Sequence, residues 1–276
     1  MKSLKPRLLT AAIGIPAVVL LIFLSELWRP TLNLVVSGVT SVMIGEYLYG
    51  KGMLKNYPIS VSCILAAFLL TLLCATAYVY IVLVVFMLAA FMVLIICHKT
   101  IGYPDFCYAV FGTLLISFGM SAVILVCSNG ISVTFGYFVV LMIPWMADAG
   151  GFFIGASMGK HKLCPEISPK KTVEGAIGGV LFCMISAVAL GLIFRLWIFS
   201  AVSVNFISLV IIGALDAVFS IVGDLSFSLI KRSLGIKDYG TIFPGHGGFL
   251  DRCDSIIFTA PIVLLISQYM PILSLG

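Results

Sequence analysis

Charge is what this sequence has least of. Only 10% of its 276 residues are Asp, Glu, Lys or Arg, while 62% are hydrophobic and the mean hydropathy is +1.22. A soluble domain carries about 25% charged residues. A chain so poor in charge cannot clothe a water-facing surface, so its solvent is lipid and an ordinary soluble enzyme is excluded. Histidine is also scarce, with three copies, and the eight cysteines fall singly, with no C-x-x-C pair. That removes a metal knuckle or redox motif and leaves the thiols as small packing residues. His161 and Cys164 are suggestively spaced, but two ligands make no zinc site. No soluble domain, low-complexity tract or clear internal repeat is present. The net charge of +5 does not point to nucleic acid, because the basic residues lie in short stretches between apolar runs rather than in a free basic arm.

What is there in abundance is apolar helix. A bilayer core asks for roughly 20 apolar residues per crossing. Candidate spans fall near 8–25, 32–50, 59–76, 78–97, 106–127, 132–149, 173–194, 205–230 and 255–273, with the long 59–97 stretch divided near Thr76. The basic start and apolar run of "MKSLKPRLLTAAIGIPAVVLLIFLSELWRP" look like a signal peptide. The run is nearly long enough to span and no small-x-small cleavage site follows, so a retained first helix is expected. The expected class is therefore all-α, a polytopic membrane protein of about nine transmembrane helices. It reads as a single membrane domain over 1–276, with its catalytic part mainly within 145–254. With the N-terminus cytoplasmic, only Arg29 and Arg195 of the sixteen Lys and Arg fall outside, as the positive-inside rule asks. The two long loops, about 150–172 and 231–254, then face the cytoplasm. The expected location is a bacterial-type inner membrane, with the active site on the cytoplasmic face. The G-x-x-x-G spacings Gly155–Gly159 and Gly175–Gly179 are expected to serve close helix packing.

Ionisable residues inside spans are costly and mark function by default. In "FISLVIIGALDAVFSIVGDLSFSLIKR", Asp216, Ser220, Asp224 and Ser228 recur every fourth residue and form one polar ridge. Asp224 lies about 10 Å below the Lys231 end and Asp216 roughly 20 Å. Each must be protonated, paired or bound to a cation. A locking ion pair is the favoured reading for Asp216, and a functional role for Asp224. Asp148 in "IPWMADAGG" is a further candidate. Glu46 in "MIGEYLYG" has no partner motif and reads as structural.

The two loops hold the rest of the charge. In "GKHKLCPEISPKKTVEG", Thr172 is placed to cap the next helix, with Lys170 and Lys171 beside an N-terminus suited to anions. In "KDYGTIFPGHGGFLDRCD", glycines let backbone approach a ligand, and Lys237, His246 and Arg252 can neutralise phosphate. Asp251 and Asp254 can hold a hard cation such as Mg²⁺. Neither a Walker loop nor a G-x-G-x-x-G fingerprint is complete. The residues themselves point to phosphoryl chemistry at a membrane and do not name the substrate.

The stretch "SLIKRSLGIKDYGTIFPGHGGFLDRCD", Ser228 to Asp254, resembles the signature of the phosphatidate cytidylyltransferase (CDP-diacylglycerol synthase) family: S-x-apolar-K-R, four residues, K-D-x-small, then P-x-H-G-G-apolar-x-D-R-x-D. The "GKHKLCPEISPKKTVEG" loop and the chain's size are similar too. The resemblance implies a nucleotidyl transfer in phospholipid synthesis: CTP and phosphatidate give CDP-diacylglycerol and pyrophosphate, with Mg²⁺. It implies Asp224 and Asp251 as metal ligands, with Asp148 a weaker third. Lys170, Lys171, Lys231, Arg232, Lys237 and Arg252 would hold the triphosphate and lipid phosphate. His246, Gly247 and Gly248 would shape the nucleotide site, and Ser168 and Thr172 would contact phosphate or metal. The expected partners are CTP, phosphatidate, the lipid bilayer and a second copy of the chain in a homodimer, with no nucleic acid. Two departures stand out. Cys253 replaces an aliphatic, Phe or Thr residue, and "DAGGF" replaces D-S-G-A-Y, so Ala149 and Phe152 lack two hydroxyls. Among rivals, a secondary transporter would need a matching broken-helix half, and the first half is almost free of intramembrane charge. A lipid-binding scaffold leaves Asp224 and Asp251 unexplained. A CDP-alcohol phosphotransferase would need a D-x-x-D-G run that is missing.

Overall fold

The computed structural model describes residues 4–129, 132–198, 202–245 and 247–275. The chain is an all-α membrane protein. Helices α1 (Leu4–Leu27), α2 (Pro30–Gly50), α3 (Tyr57–Leu72), α4 (Tyr78–Ile96) and α5 (Tyr103–Asn129) are followed by α6 (Val133–Tyr137), α7 (Ile143–Met158), α8 (Val173–Ile193), α9 (Phe206–Ser233) and α10 (Leu250–Tyr269). Two small antiparallel strand pairs accompany them: the hairpin of β1 (Lys162–Cys164) with β2 (Ser168–Thr172), and β3 (Val202–Val204) with the sequence-distant β4 (Leu273–Leu275). In lipid no water satisfies backbone N–H and C=O, so apolar runs resolve into helices that bond their own backbone.

Every expected span has a helix over it, and the differences lie at the ends. Among the described residues, six stretches are long and apolar enough to cross a membrane: Pro30–Gly50, Tyr78–Ile96, Tyr103–Ser128, Val133–Met158, Val173–Leu196 and Phe206–Ser233. The stretch Tyr57–Leu72 is shorter, and α10 opens on Asp251, Arg252 and Asp254. The α6–α7 helix is continuous through a π-helical turn at Phe138–Met142. Pro144 has no N–H to give to the Val140 carbonyl, and a π turn is a usual way for a helix to absorb that loss. This helix runs on to Met158, nine residues past its expected end at 149, and the rest of the expected loop folds as the β1–β2 hairpin. At the other loop, α10 begins five residues before the expected 255, which puts Asp251 and Asp254 in its first two turns.

The chain divides into two compact units, Met1–Leu125 with Ser233–Cys253, and Val126–Arg232 with Asp254–Gly276. In the first, α2 packs on α3, where the Ser41 hydroxyl reaches the Ile64 carbonyl at 3.4 Å. The Tyr47 ring stacks on Tyr108 with centroids 4.1 Å apart, and the Tyr108 hydroxyl donates to the Tyr47 carbonyl at 3.0 Å. In the second, α7 and α8 touch through glycine. A Cβ on Gly175 would come within 2.7 Å of the Gly151 carbonyl oxygen, and one on Gly179 within 2.8 Å of that of Ala147. The expected packing role of the G-x-x-x-G spacing at Gly175 and Gly179 is thus met. On α9, a Cβ on Gly213 would lie 2.8 Å from the Met184 Cα. Helices α9 and α10 run antiparallel, tied at the far end by the β3–β4 register and by the Ser208 hydroxyl donating to the Met270 carbonyl at 3.1 Å.

Gly213→Ala should lower the thermal midpoint of the detergent-solubilised protein, costing about 1–3 kcal/mol, because the methyl meets backbone that cannot rotate away. Gly38→Ala is the control: nothing lies within 4 Å of its Cβ position, and alanine is the better helix former, so the midpoint should hold or rise. Thermal melts of the two variants side by side check this.

Candidate active site

The second unit contains a cavity of about 260 Å³ whose lining includes Asp148, Ser168, Lys170, Lys171 and Thr172. Asp148 comes from α7, the next four from β2, and Ala217 and Ile221 of α9 complete the far wall. Close glycine packing of α7 on α8 fixes the floor. Thr172 fixes the turn from β2 into α8, accepting the Gly175 N–H at 3.1 Å as the helix N-cap. Glu174 in the first turn of α8 accepts the backbone N–H of Lys160 at 3.1 Å and that of His161 at 3.2 Å, with His161 Nδ1 2.6 Å away. These bonds hold the strap that leads into the hairpin. Lys170 and Lys171 are thereby carried on a short strand pinned at its Thr172 end.

The site's central charge contact is Lys171 Nζ to Asp224 Oδ2, at 2.6 Å, with both side chains roughly three-quarters buried. About two turns further along α9, Lys231 lies 3.9 Å from Asp254, and these two are almost fully buried. Asp254 precedes the apolar stretch of α10. Its burial pushes the carboxyl up to about 7; the negative charge of Asp224 adds to this and Lys231 opposes it. Gly223 lets the helices approach here, since a Cβ would come 2.8 Å from the Asp254 carbonyl oxygen. Arg232 is exposed at the end of α9.

In the first unit, the glycine-rich stretch is organised by two carboxylates. Asp251 Oδ2 accepts the N–H of Tyr239 at 2.9 Å and of Gly248 at 3.0 Å. Glu46, from α2, accepts Phe249 N–H at 3.1 Å and Leu250 N–H at 2.8 Å. Gly247 takes φ +82°, a left-handed conformation open to glycine, and its carbonyl accepts Phe243 N–H at 2.8 Å. Lys237 and Arg252 are exposed, and Gly248 is buried. His246 lies outside the described residues.

Five of the sequence-predicted residues (Asp148, Ser168, Lys170, Lys171 and Thr172) thus meet at one cavity, and Asp224 joins them through Lys171. Lys231 and Arg232 belong to the same unit; Lys237, Gly247, Gly248, Asp251 and Arg252 belong to the other. Glu46, read from sequence as merely structural, is the residue that reading missed. Its partners are about 200 positions away, beyond any local pattern. Asp216 is the other surprise. It is fully buried, and neither oxygen has a hydrogen-bond partner among the described residues; the same holds for Ser220 Oγ and Thr259 Oγ1.

Among the described residues, no three His, Cys, Asp or Glu side chains gather closely enough to hold a metal ion by themselves. Magnesium does not ask for such a cage. It keeps waters and is held by one or two carboxylates plus substrate phosphates. Asp148 on the cavity wall and Asp224 paired to Lys171 are the carboxylates that could hold it.

A model of the cytidylyltransferase family matches residues 5–270 of the chain. Over 124 residues the chain is 43% identical to a phosphatidate cytidylyltransferase of Bacillus subtilis, covering 45% of this chain and 44% of that protein. Over 129 residues it is 44% identical to a phosphatidate cytidylyltransferase of Staphylococcus aureus, covering 46% of this chain and 47% of that one. A phosphatidate cytidylyltransferase of Staphylococcus haemolyticus is 40% identical over 129 residues. In these alignments the chain spans a little under half the length of the curated relatives it matches.

Asp216→Leu should raise the thermal midpoint in detergent. A buried polar group without a partner costs about 1–3 kcal/mol, and leucine puts apolar methyls where the two unpaired oxygens stand, so that cost is removed. A melt of the variant below that of the wild type would show that Asp216 is compensated by a bound group.

Proposed function

The chain belongs to the cytidylyltransferase family, and from that premise we propose that it transfers the cytidylyl group of CTP to phosphatidate, releasing pyrophosphate and forming CDP-diacylglycerol. The observation that carries this reading is the Lys171–Asp224 pair, 2.6 Å apart, on a cavity that Ser168, Lys170, Thr172 and Asp148 also line. Such a place suits a phosphate together with its counter-cation. An oxygen of the lipid phosphate bonds to the α-phosphorus of CTP, and the bond from that phosphorus to the pyrophosphate oxygen breaks. The attacking phosphate is already ionised near neutral pH, so no general base is required. The protein's task is positioning and charge neutralisation.

Lys170 and Lys171 neutralise phosphate oxygens from β2. The hydroxyls of Ser168 and Thr172 orient them, although the Thr172 oxygen also accepts the Gly175 N–H. Lys231 and Arg232 at the end of α9, and Lys237 and Arg252 in the glycine-rich stretch, add positive charge for the triphosphate and lipid phosphate. His246, Gly247 and Gly248 shape the nucleotide site. Asp148 and Asp224 would hold Mg²⁺, which would offset the charge of the triphosphate, and Asp251 is the acidic residue of the family signature that would serve the same chemistry. The reading includes nine crossings with a cytoplasmic N-terminus, an active site facing the cytoplasm of a bacterial-type inner membrane, and a homodimer.

Purified protein given labelled CTP, phosphatidate and Mg²⁺ should form labelled CDP-diacylglycerol, and Lys171→Ala should slow it on the order of 100-fold. No product across a range of metals and detergents would sink the reading. Uptake of CTP into proteoliposomes without product would replace it with transport.

A further inference from the structure

Glu46 stands outside the family signature and outside the lysine-lined cavity, yet the glycine-rich stretch is laid on it. Its two carboxylate oxygens accept the N–H groups of Phe249, at 3.1 Å, and Leu250, at 2.8 Å. Those are among the donors that the start of α10 leaves without an intrahelical partner, and a carboxylate suits the positive end of a helix. The next residue is Asp251. Its own Oδ2 reaches back to the N–H of Gly248 at 3.0 Å and of Tyr239 at 2.9 Å. Four backbone N–H groups, of residues 239, 248, 249 and 250, are thereby shared between two carboxylates.

The glycines on either side make room for this arrangement. A Cβ at Gly240 or at Gly248 would collide with the Glu46 carboxylate, and one at Gly247 would come 2.9 Å from Asp251 Oδ2. Glu46 itself is only 7% exposed. Its neighbour Tyr47 is stacked on Tyr108 and lies 6.0 Å from the buried Tyr239 ring, centroid to centroid. A Cβ on Gly50, one turn further along α2, would lie 3.2 Å from that same ring. One face of α2, at residues 46, 47 and 50, is therefore a bed on which Tyr239 and the start of α10 rest. A carboxylate on a rigid helix, fixed by its packing, is what holds a reactive group to within fractions of an ångström.

We propose that Glu46 is a positioning residue for Asp251: it fixes the backbone immediately before Asp251 and so sets where that carboxylate stands during cytidylyl transfer. The inference rests on the proposed function for its kinetic half only. Glu46→Gln keeps the shape but only one acceptor oxygen, and Glu46→Ala keeps neither.

In the full-length protein in detergent, kcat should fall about tenfold for Glu46→Gln and on the order of 100-fold for Glu46→Ala. KM for CTP and for phosphatidate should stay within about threefold of wild type. Hydrogen exchange of the peptide spanning 239–251 should speed up in both variants, while the α7–α8 peptides keep wild-type protection. Wild-type kcat in Glu46→Ala, or a loss carried by KM alone, overturns the proposal. So does unchanged exchange across 239–251, whatever the activity. If the wild-type protein makes no CDP-diacylglycerol, the proposed function fails on its own. The exchange measurement then decides Glu46: lost protection supports its hold on Asp251, and unchanged protection ends it.

Discussion

Lys171 and Asp224 lie 2.6 Å apart, and much of the second unit follows from the need to keep them so. An acidic residue on an apolar helix is expensive unless a partner reaches it. The partner here is delivered by a five-residue strand. For that strand to stay in place, its end must be capped and its approach held, which Thr172 and Glu174 do through the first turn of α8. For α8 to stand in the right place it must touch α7 closely, and glycine at 175 and 179 permits that where any side chain would strike a backbone carbonyl. Helix packing, capping and ion pairing are thus one chain of dependence ending at a lysine.

The first unit solves the matching problem for backbone. A stretch with four glycines between residues 240 and 248 has little side chain with which to pack, so it would be loose unless its N–H groups were tied down. Two carboxylates take that part. Asp251 ties the stretch to the helix it leads into, and Glu46 ties the helix start to α2. Rigidity comes from acceptors placed on helices, and the glycines are the space those acceptors need.

Local rules made some of this legible in the sequence. The spans were readable because lipid permits little besides apolar helices, and Thr172 was readable as a cap because a threonine before a helix with its N–H groups unfilled has few other uses. The small-residue spacing at Gly175 and Gly179 announced helix contact for the same reason. The hairpin was not readable: "KLC" and "SPKKT" are too short to show alternation, and their pairing depends on Glu174 holding the approach. The early start of α10 was hidden because Asp251, Arg252 and Asp254 read as a polar loop until Glu46 is seen satisfying the first turn. Glu46 was beyond reach, since its two bonds run to residues 249 and 250 and a single chain records no such pairing.

The pairing of acids with lysines also bears on the cost of placing charge in a membrane. Unmatched charges of either sign in an apolar surround cost several kcal/mol each. Here Lys171 neutralises Asp224 directly, and Lys231 stands 3.9 Å from Asp254. On the proposed function, the arriving ligand is itself a paired cation and polyanion. The cation would take Asp224 and the phosphate Lys171, so neither side chain is left without an opposite charge. A site arranged this way favours binding the two together over either alone, because a phosphate without its cation would draw Lys171 away and leave Asp224 uncompensated.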